Sequence, residues 1–194
     1  LSNEMVQRIL NIAKKYHSAT DPFIDGRAIT QPSSIDHMDE FGLSPQMQKL
    51  IRDTREVVPD VMEYVKTTGA QAEKINIFMA DLEEREILRK ELMAMPELSI
   101  SSSMYNNLEV NAKGADKGSA LLWLADHLGI SREETMAFGD QQNDIPMIKA
   151  AGIGVAMENA LDTVKEAADT ITLNNDEDGV AAAIRKFIFG SSEE

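Results

Sequence analysis

Within Gly139-Asp140-Gln141-Gln142-Asn143-Asp144, the two carboxylates of Asp140 and Asp144 and the amide of Asn143 fall in five residues. The apolar run Thr135–Phe138 precedes them and suits a buried strand that ends at Gly139. Asp140 then stands at the carboxyl end of that strand. Asn143 or Asp144 is placed to cap a following helix whose Ile145, Met147, Ile148 and Ala151 face a sheet. In an open α/β sheet, ligands bind outside the carboxyl ends of the strands. A hard, anionic cluster there suits Mg²⁺, which takes one or two protein carboxylates together with substrate phosphate. The plain alternative for the same residues is a capped helix behind a solvated acidic turn.

Three further stretches bear on that choice. In Lys113-Gly114-Ala115-Asp116-Lys117-Gly118, Lys117 falls at a helix start, where a cation opposes the helix dipole. A ligand anion would compensate. Gly154-Val155-Ala156-Met157-Glu158-Asn159 is a strand end followed by a capping Asn, and Asn174-Asn175-Asp176-Glu177-Asp178-Gly179 is another polar strand-to-helix turn. In a parallel sheet all four stretches emerge at one edge. A lysine, a metal-type carboxylate and amides converging there are what phosphoryl transfer needs, since cations neutralise charge and amides orient the phosphate.

The elements that must hold these residues follow from the pattern. After Lys113, helices are predicted at Lys117–Leu128, Ile145–Ala151, Leu161–Ala167 and Gly179–Ile188. Strands are predicted at Thr135–Phe138, Ile153–Met157 and Thr170–Leu173. Such alternation argues for parallel βαβ units with right-handed crossovers. The first half is mixed. An amphipathic helix covers Ser2–Lys15, and Asp25-Gly26 turns a hairpin over Phe23–Thr30. Gln31–Phe41 reads as a polar, mobile loop. Helices begin at Ser44-Pro45, Pro59-Asp60 and Asp81, and strands are predicted near Ala72–Met79, Leu98–Ser102 and Leu108–Asn111. The polar loop with Ser101–Ser103, Met104 and Tyr105 is a minor candidate for ligand contact. The boundary between halves lies near Asn111–Asp116.

Composition narrows the function. The chain of 194 residues has 33 acidic and 19 basic residues and a formal charge of −14, divided as −6 over Leu1–Ala112 and −8 over Lys113–Glu194. With no clustered Lys and Arg, a nucleic-acid partner is not expected. An acidic surface that takes an anionic substrate needs a local cation, which favours a metal. There is no cysteine, hence no disulfide or thiolate zinc site. No apolar run approaches membrane-spanning length and no signal-peptide pattern is present, so no membrane association is expected and the default is a cytoplasmic protein.

Taken together, Lys117-Gly118, Gly139-Asp140-x-x-Asn143-Asp144, Val155-Ala156-Met157-x-Asn159-Ala160 and Asn175-Asp176-Glu177-Asp178-Gly179-Val180 resemble the haloacid dehalogenase superfamily, nearest to its Cof-type, sugar-phosphatase-like branch (subclass IIB). The likeness is specific over roughly Asn111 to Ile188 and weaker before it. It implies an α/β fold: a cap of mixed α/β type (C2) over 1–112, and part of a Rossmann-like parallel-sheet core over 113–194. It also implies a Mg²⁺-dependent phosphatase acting on small phosphorylated metabolites through an aspartyl-phosphate. By the same resemblance, Lys117 orients the nucleophile and binds phosphate. Asp140 is the metal ligand, Asn143 contacts the phosphate and Asp144 supports the metal shell. Asn159 and Asn175 shape the same rim.

One departure is large. The family's nucleophile and general acid lie in an Asp-x-Asp-Gly-Thr motif near the N-terminus, followed by a Ser or Thr phosphate-binding motif, and neither is present here. The expectation is therefore a fragment that lacks an N-terminal segment of the order of 80 residues, is inactive alone, and either has a mobile or rearranged second half or forms an oligomer that covers the sheet edge left unpaired. The rival reading is a non-catalytic folded fragment, open to self-association as a homo-oligomer, that binds Mg²⁺ weakly or not at all. A Ser-His-Asp hydrolase is disfavoured, since His17, His37 and His127 lie in helix or loop contexts without a nucleophile elbow. His127 reads most simply as a partner of its helix's C-terminal dipole. A receiver-type phosphoacceptor would place its lysine after the acidic residues, not before.

Overall fold

Asp25 and Gly26 both take left-handed backbone, with φ of 50° and 73°. That pair of positive angles forms the tight turn whose twist matches two antiparallel strands, β1 (Ala19–Ile24) and β2 (Arg27–Thr30). The computed structural model describes residues 1–190. It divides into two compact units, Leu1–Lys113 and Gly114 onward.

The first unit continues with α1 (Asn3–Ala13), α2 (Pro32–Asp36), α3 (Pro45–Thr54), β3 (Glu56–Val57), α4 (Val61–Thr68), β4 (Lys74–Phe78), α5 (Leu82–Met93), β5 (Leu98–Ser101) and β6 (Asn107–Ala112). Its six strands pair in the order β3-β2-β1-β4-β6-β5, antiparallel except for β2 with β3. Ser2, Ser44, Asp60 and Asp81 cap α1, α3, α4 and α5 through their side-chain oxygens, accepting from N–H donors that each helix start leaves unpaired. Strand alternation then splits the sheet residues into two sets. Ile24, Ile29, Ile75, Ile77, Leu108 and Val110 point to one face and pack with Val6 and Ile9 of α1, Val65 of α4, and Leu88 and Leu92 of α5.

The segment expected to be a mobile loop, Gln31–Phe41, is instead folded. Pro32 occupies the first turn of α2, where its fixed φ and missing N–H start a helix rather than break one. A 3₁₀ turn over Met38–Phe41 follows. Ile35, Met38, Phe41 and Leu43 were inconspicuous among polar neighbours, but helical spacing brings them together against Ala19, Ile51 and Phe78 in a second apolar cluster.

The second unit holds α6 (Lys117–Leu128), β7 (Met136–Gly139), α7 (Ile145–Ala150), β8 (Ile153–Ala156), α8 (Asp162–Lys165), β9 (Thr170–Ile171) and α9 (Gly179–Ile188). Strands β7, β8 and β9 lie side by side and parallel, with Phe138 opposite Val155 and Val155 opposite Thr170. A helix separates each strand from the next, so the three carboxyl ends fall on one edge. The core beneath is small, built on Ile148, Ala156, Met157, Ala160 and Val164. Several large apolar side chains remain outside it, including Trp123, Leu124 and Leu128 of α6 and Phe187 and Ile188 of α9. His127 lies in the last turn of α6, as its dipole assignment requires, and also stacks on Trp123 at 5.3 Å. Among the described residues no helix is long and apolar enough to cross a membrane.

Phe41→Ala is expected to destabilise the first unit by about 3–5 kcal/mol, the usual cost of emptying a buried aromatic site. It should also abolish hydrogen-exchange protection at the amides of residues 34–42. Rapid exchange there in the unaltered chain would contradict this packing.

Candidate active-site edge

Asp144 is where the edge is assembled. Its carboxylate is 5% exposed and receives three donors. Lys117 Nζ donates to Oδ1. The backbone N–H groups of Asp140 and Gln141 donate to Oδ2 at 2.9 and 3.0 Å. Asp144 stands at the N-cap position of α7 but makes no side-chain cap bond. The expected cap is thus corrected: the carboxylate turns back over the strand end and closes the loop onto itself. Gln141 completes this closure, its backbone carbonyl accepting from Asp144 N at 2.9 Å around the 3₁₀ turn Gln142–Asp144. The only trace of this role in the sequence is the spacing of Gln141 and Asp144, three apart.

Two glycines make the arrangement sterically possible. A Cβ on Gly139 would stand 2.3 Å from Asp144 Cβ, so the carboxylate fits only over a bare strand end. A Cβ on Gly118 would stand 2.4 Å from the Pro146 carbonyl oxygen, so α6 approaches α7 closely enough to deliver Lys117 only through glycine. Asp116 caps α6 by exchanging bonds with Ser119, its carboxylate accepting from Ser119 N at 2.8 Å.

The unfavourable position of Lys117 at a helix start was expected to require a ligand anion. The protein supplies that anion itself, as Asp144. Burial works against the charge of Asp144, but the hydrogen bond from Lys117 and then the N–H groups of Gln141 and Asp140 outweigh it. The carboxyl pKa lies below its ordinary value as a result. Lys117 keeps about half its side chain exposed, 49%, and so presents positive charge outward as well.

The remaining turns are stitched to this centre. Met157 N donates to the Gly139 carbonyl at 3.0 Å, and Leu161 N to the Asp140 carbonyl at 3.1 Å. Asn159 Oδ1 accepts from Asn175 N at 3.1 Å, joining the turns after β8 and β9. The edge therefore brings together Lys117, Asp140 and Asp144 as one group, and Asn159 and Asn175 as an exposed pair beside it. Asn143 sits in the 3₁₀ turn between Asp140 and Asp144, half-buried.

The donor set can be tested against a divalent cation. The Asp140 side chain is partly exposed and has no hydrogen-bond partner among the described residues, which leaves its oxygens available. Both Asp144 oxygens are already engaged. Among the described residues no three His, Cys, Asp or Glu side chains form a group that could hold a metal ion. One open carboxylate at a strand end fits Mg²⁺, which keeps several waters and shares substrate phosphate oxygens. It does not fit a closed, all-protein site for a softer metal.

A parallel sheet with a lysine–carboxylate pair at its carboxyl edge, in one chain with a mixed α/β unit, is the arrangement of a Rossmann-like core with a cap. Within that class the chain belongs to the haloacid dehalogenase-like hydrolase family, whose profile matches residues 1–184. It is 50% identical over 114 residues to the Bacillus subtilis 5-amino-6-(5-phospho-D-ribitylamino)uracil phosphatase YcsE, a match covering 57% of this chain and 46% of that protein. It resembles the structure of a haloacid dehalogenase-like hydrolase from B. subtilis with a TM-score of 0.83 at 27% identity, over 97% of this chain and 71% of the other. It also resembles the subclass IIB sugar phosphatase BT4131 with a TM-score of 0.76 at 26% identity, over 96% of this chain and 67% of the other. The chain spans about half the length of the first of these relatives.

Asp144→Asn should lower the stability of the second unit at pH 7 by about 1–3 kcal/mol, the scale for disturbing a buried, multiply bonded group. A carboxyl whose native pKa is depressed stabilises above its unfolded value, near 3.9, and loses that contribution as pH falls through the native value. The gap between the two proteins is therefore full at neutral pH and closes below about pH 4. Urea unfolding followed by Trp123 fluorescence at pH 7 and pH 3 checks this. A gap independent of pH would refute the charge-based account.

Proposed function

We propose that this chain carries the metal- and phosphate-binding half of a Mg²⁺-dependent phosphatase for small phosphorylated metabolites. The observation that carries the reading is the Lys117–Asp144 pair locked beside the open Asp140 carboxylate at the sheet's carboxyl edge. In this reading Asp140 holds the cation and Lys117 offers positive charge to the substrate phosphate. Asp144 acts through both, fixing the lysine head and the backbone on either side of the Asp140–Gln141 peptide bond. Asn143, Asn159 and Asn175 give the rim neutral hydrogen-bonding groups that orient phosphate oxygens without adding charge. Bound Mg²⁺ would supply the charge neutralisation that phosphoryl transfer demands.

The chemistry also needs an in-line carboxylate nucleophile. Asp140 is assigned to the cation and Asp144 is committed to three donors. No Asp-x-Asp-Gly-Thr occurs in the 194 residues. The proposal therefore places the nucleophile in a polypeptide segment outside this sequence. The printed name of the B. subtilis relative, a phosphatase of a ribitylaminouracil phosphate, supports a phosphorylated small metabolite as the substrate class. The exposed apolar side chains of α6 and α9 support the accompanying expectation that this chain by itself forms homo-oligomers.

Two measurements test the proposal. The purified 194-residue chain, assayed with a phosphate-ester probe and Mg²⁺ beside light scattering, is expected to show no turnover and a mass above the monomer. Robust turnover by a monomer would mean that a nucleophile lies within these residues. In a protein that unites this sequence with an aspartate nucleophile, Asp140→Asn should reduce turnover by about 100-fold or more. Unchanged activity would remove Asp140 from the site.

A further inference from the structure

In the second unit, β9 is an edge strand. Among the described residues it pairs with β8 and has no neighbour on its other side. Thr172 N donates to the Ala156 carbonyl at 2.9 Å, so strand alternation turns the N–H and C=O of Ile171 away from β8. Natural sheets usually blunt such an edge with charge, proline or a covering element. Thr170-Ile171-Thr172 carries no charge and no proline, and its residue types favour strand pairing.

Helix α9 starts where β9 ends, with Thr172 Oγ1 donating to the Gly179 carbonyl at 2.6 Å. From there it runs back beside the strand, and the two enclose an open groove of about 580 Å³. Ile171, Leu173 and Phe187 line the groove and are 52%, 40% and 40% exposed. Ala182 and Ala183 keep the helix wall low between them. The ends of the groove differ in charge. Glu158 N reaches the Leu173 carbonyl at 3.4 Å, which places Glu158 at the carboxyl end of β9. Lys186 lies two turns into α9, about 10 Å further along at the rise of an α-helix. Both side chains are exposed, and neither joins an ion pair among the described residues.

A surface that is negative at one end, apolar in the middle and positive at the other is complementary to itself. A twofold axis normal to the sheet sets two β9 strands side by side and antiparallel. It brings the Glu158 end of each copy to the Lys186 end of the other, so one operation makes both charge matches. The outward backbone groups of Ile171 then pair across the axis, and the exposed apolar side chains of each copy enter the groove of the other. A small ion of either sign matches one end only and leaves the strand edge unpaired. We propose that the β9 edge and the β9–α9 groove form a twofold self-association surface whose occupant is a second copy of this chain. The proposal rests on the homo-oligomer expectation stated with the phosphatase reading and gives it a location, while the phosphatase reading itself is independent of it.

The test is sedimentation velocity of the whole chain over a range of concentrations, with hydrogen exchange read at the Ile171 amide. The unaltered chain should dimerise, and Ile171 should exchange more slowly as the dimer forms. Lys186→Glu and Glu158→Lys, both at exposed positions, should each weaken dimerisation at least about tenfold, because like charges then meet at both ends. The double variant restores opposite charges and should recover the affinity of the unaltered chain. A monomeric unaltered chain would overturn the proposal together with the homo-oligomer expectation. Association unchanged in both single variants, or no recovery in the double variant, would overturn the β9 surface alone and leave that expectation standing. Ile171 exchange that does not depend on concentration would do the same, and that measurement needs no variant. No turnover is involved, so failure here is distinct from failure of the Asp140 assay.

Discussion

The second unit is arranged around a single buried carboxylate. With 5% of its surface exposed, Asp144 keeps its charge only because three donors converge on it, and satisfying that charge dictates much of the local architecture. The loop after β7 must curl so that two consecutive N–H groups point inward. Helix α6 must start where its first side chain, Lys117, reaches the other oxygen. Gly139 and Gly118 must lack side chains so that carboxylate and helix can approach. A buried charge with one partner removed is strongly destabilising, so these requirements hold together or fail together.

That dependence also explains how a positive charge is held in a defined place in a chain of net charge −14. The lysine is anchored by a residue of the fold and still half-exposed, and the open carboxylate beside it is suited to a cation. Asp144 thus separates structural from chemical duty: it is saturated by the fold, which leaves Asp140 free of it. The two asparagines that join the neighbouring turns contribute only neutral groups, and the electrostatic balance at the edge remains with Lys117, Asp140 and Asp144.

Much of this was legible in the residues. The alternation after Lys113, the hairpin at Asp25-Gly26, and the caps at Ser2, Ser44, Asp60 and Asp81 are local signals, and local chemistry decides them. Lys117, Asp140 and Asp144 stood out by type and position. What the sequence concealed was pairing across distance. That Asp144 answers Lys117, 27 positions away, cannot be seen from spacing. The fold of Gln31–Phe41 was hidden for a related reason. Four apolar side chains among polar ones carry little signal until the partners that bury them, Ala19, Ile51 and Phe78, are in place.

The close approaches at Gly118 and Gly139 have a consequence for how such a site changes over generations. At those two positions any side chain collides with backbone or with the buried carboxylate, so drift there is closed off and selection must hold glycine. Asn159 and Asn175 lie exposed and touch each other through only one side-chain oxygen, and many substitutions there leave the scaffold intact. The edge is therefore divided into a part that ancestry must preserve and a part that diversification can rewrite, with the division set by atomic clearance rather than by distance from the chemistry.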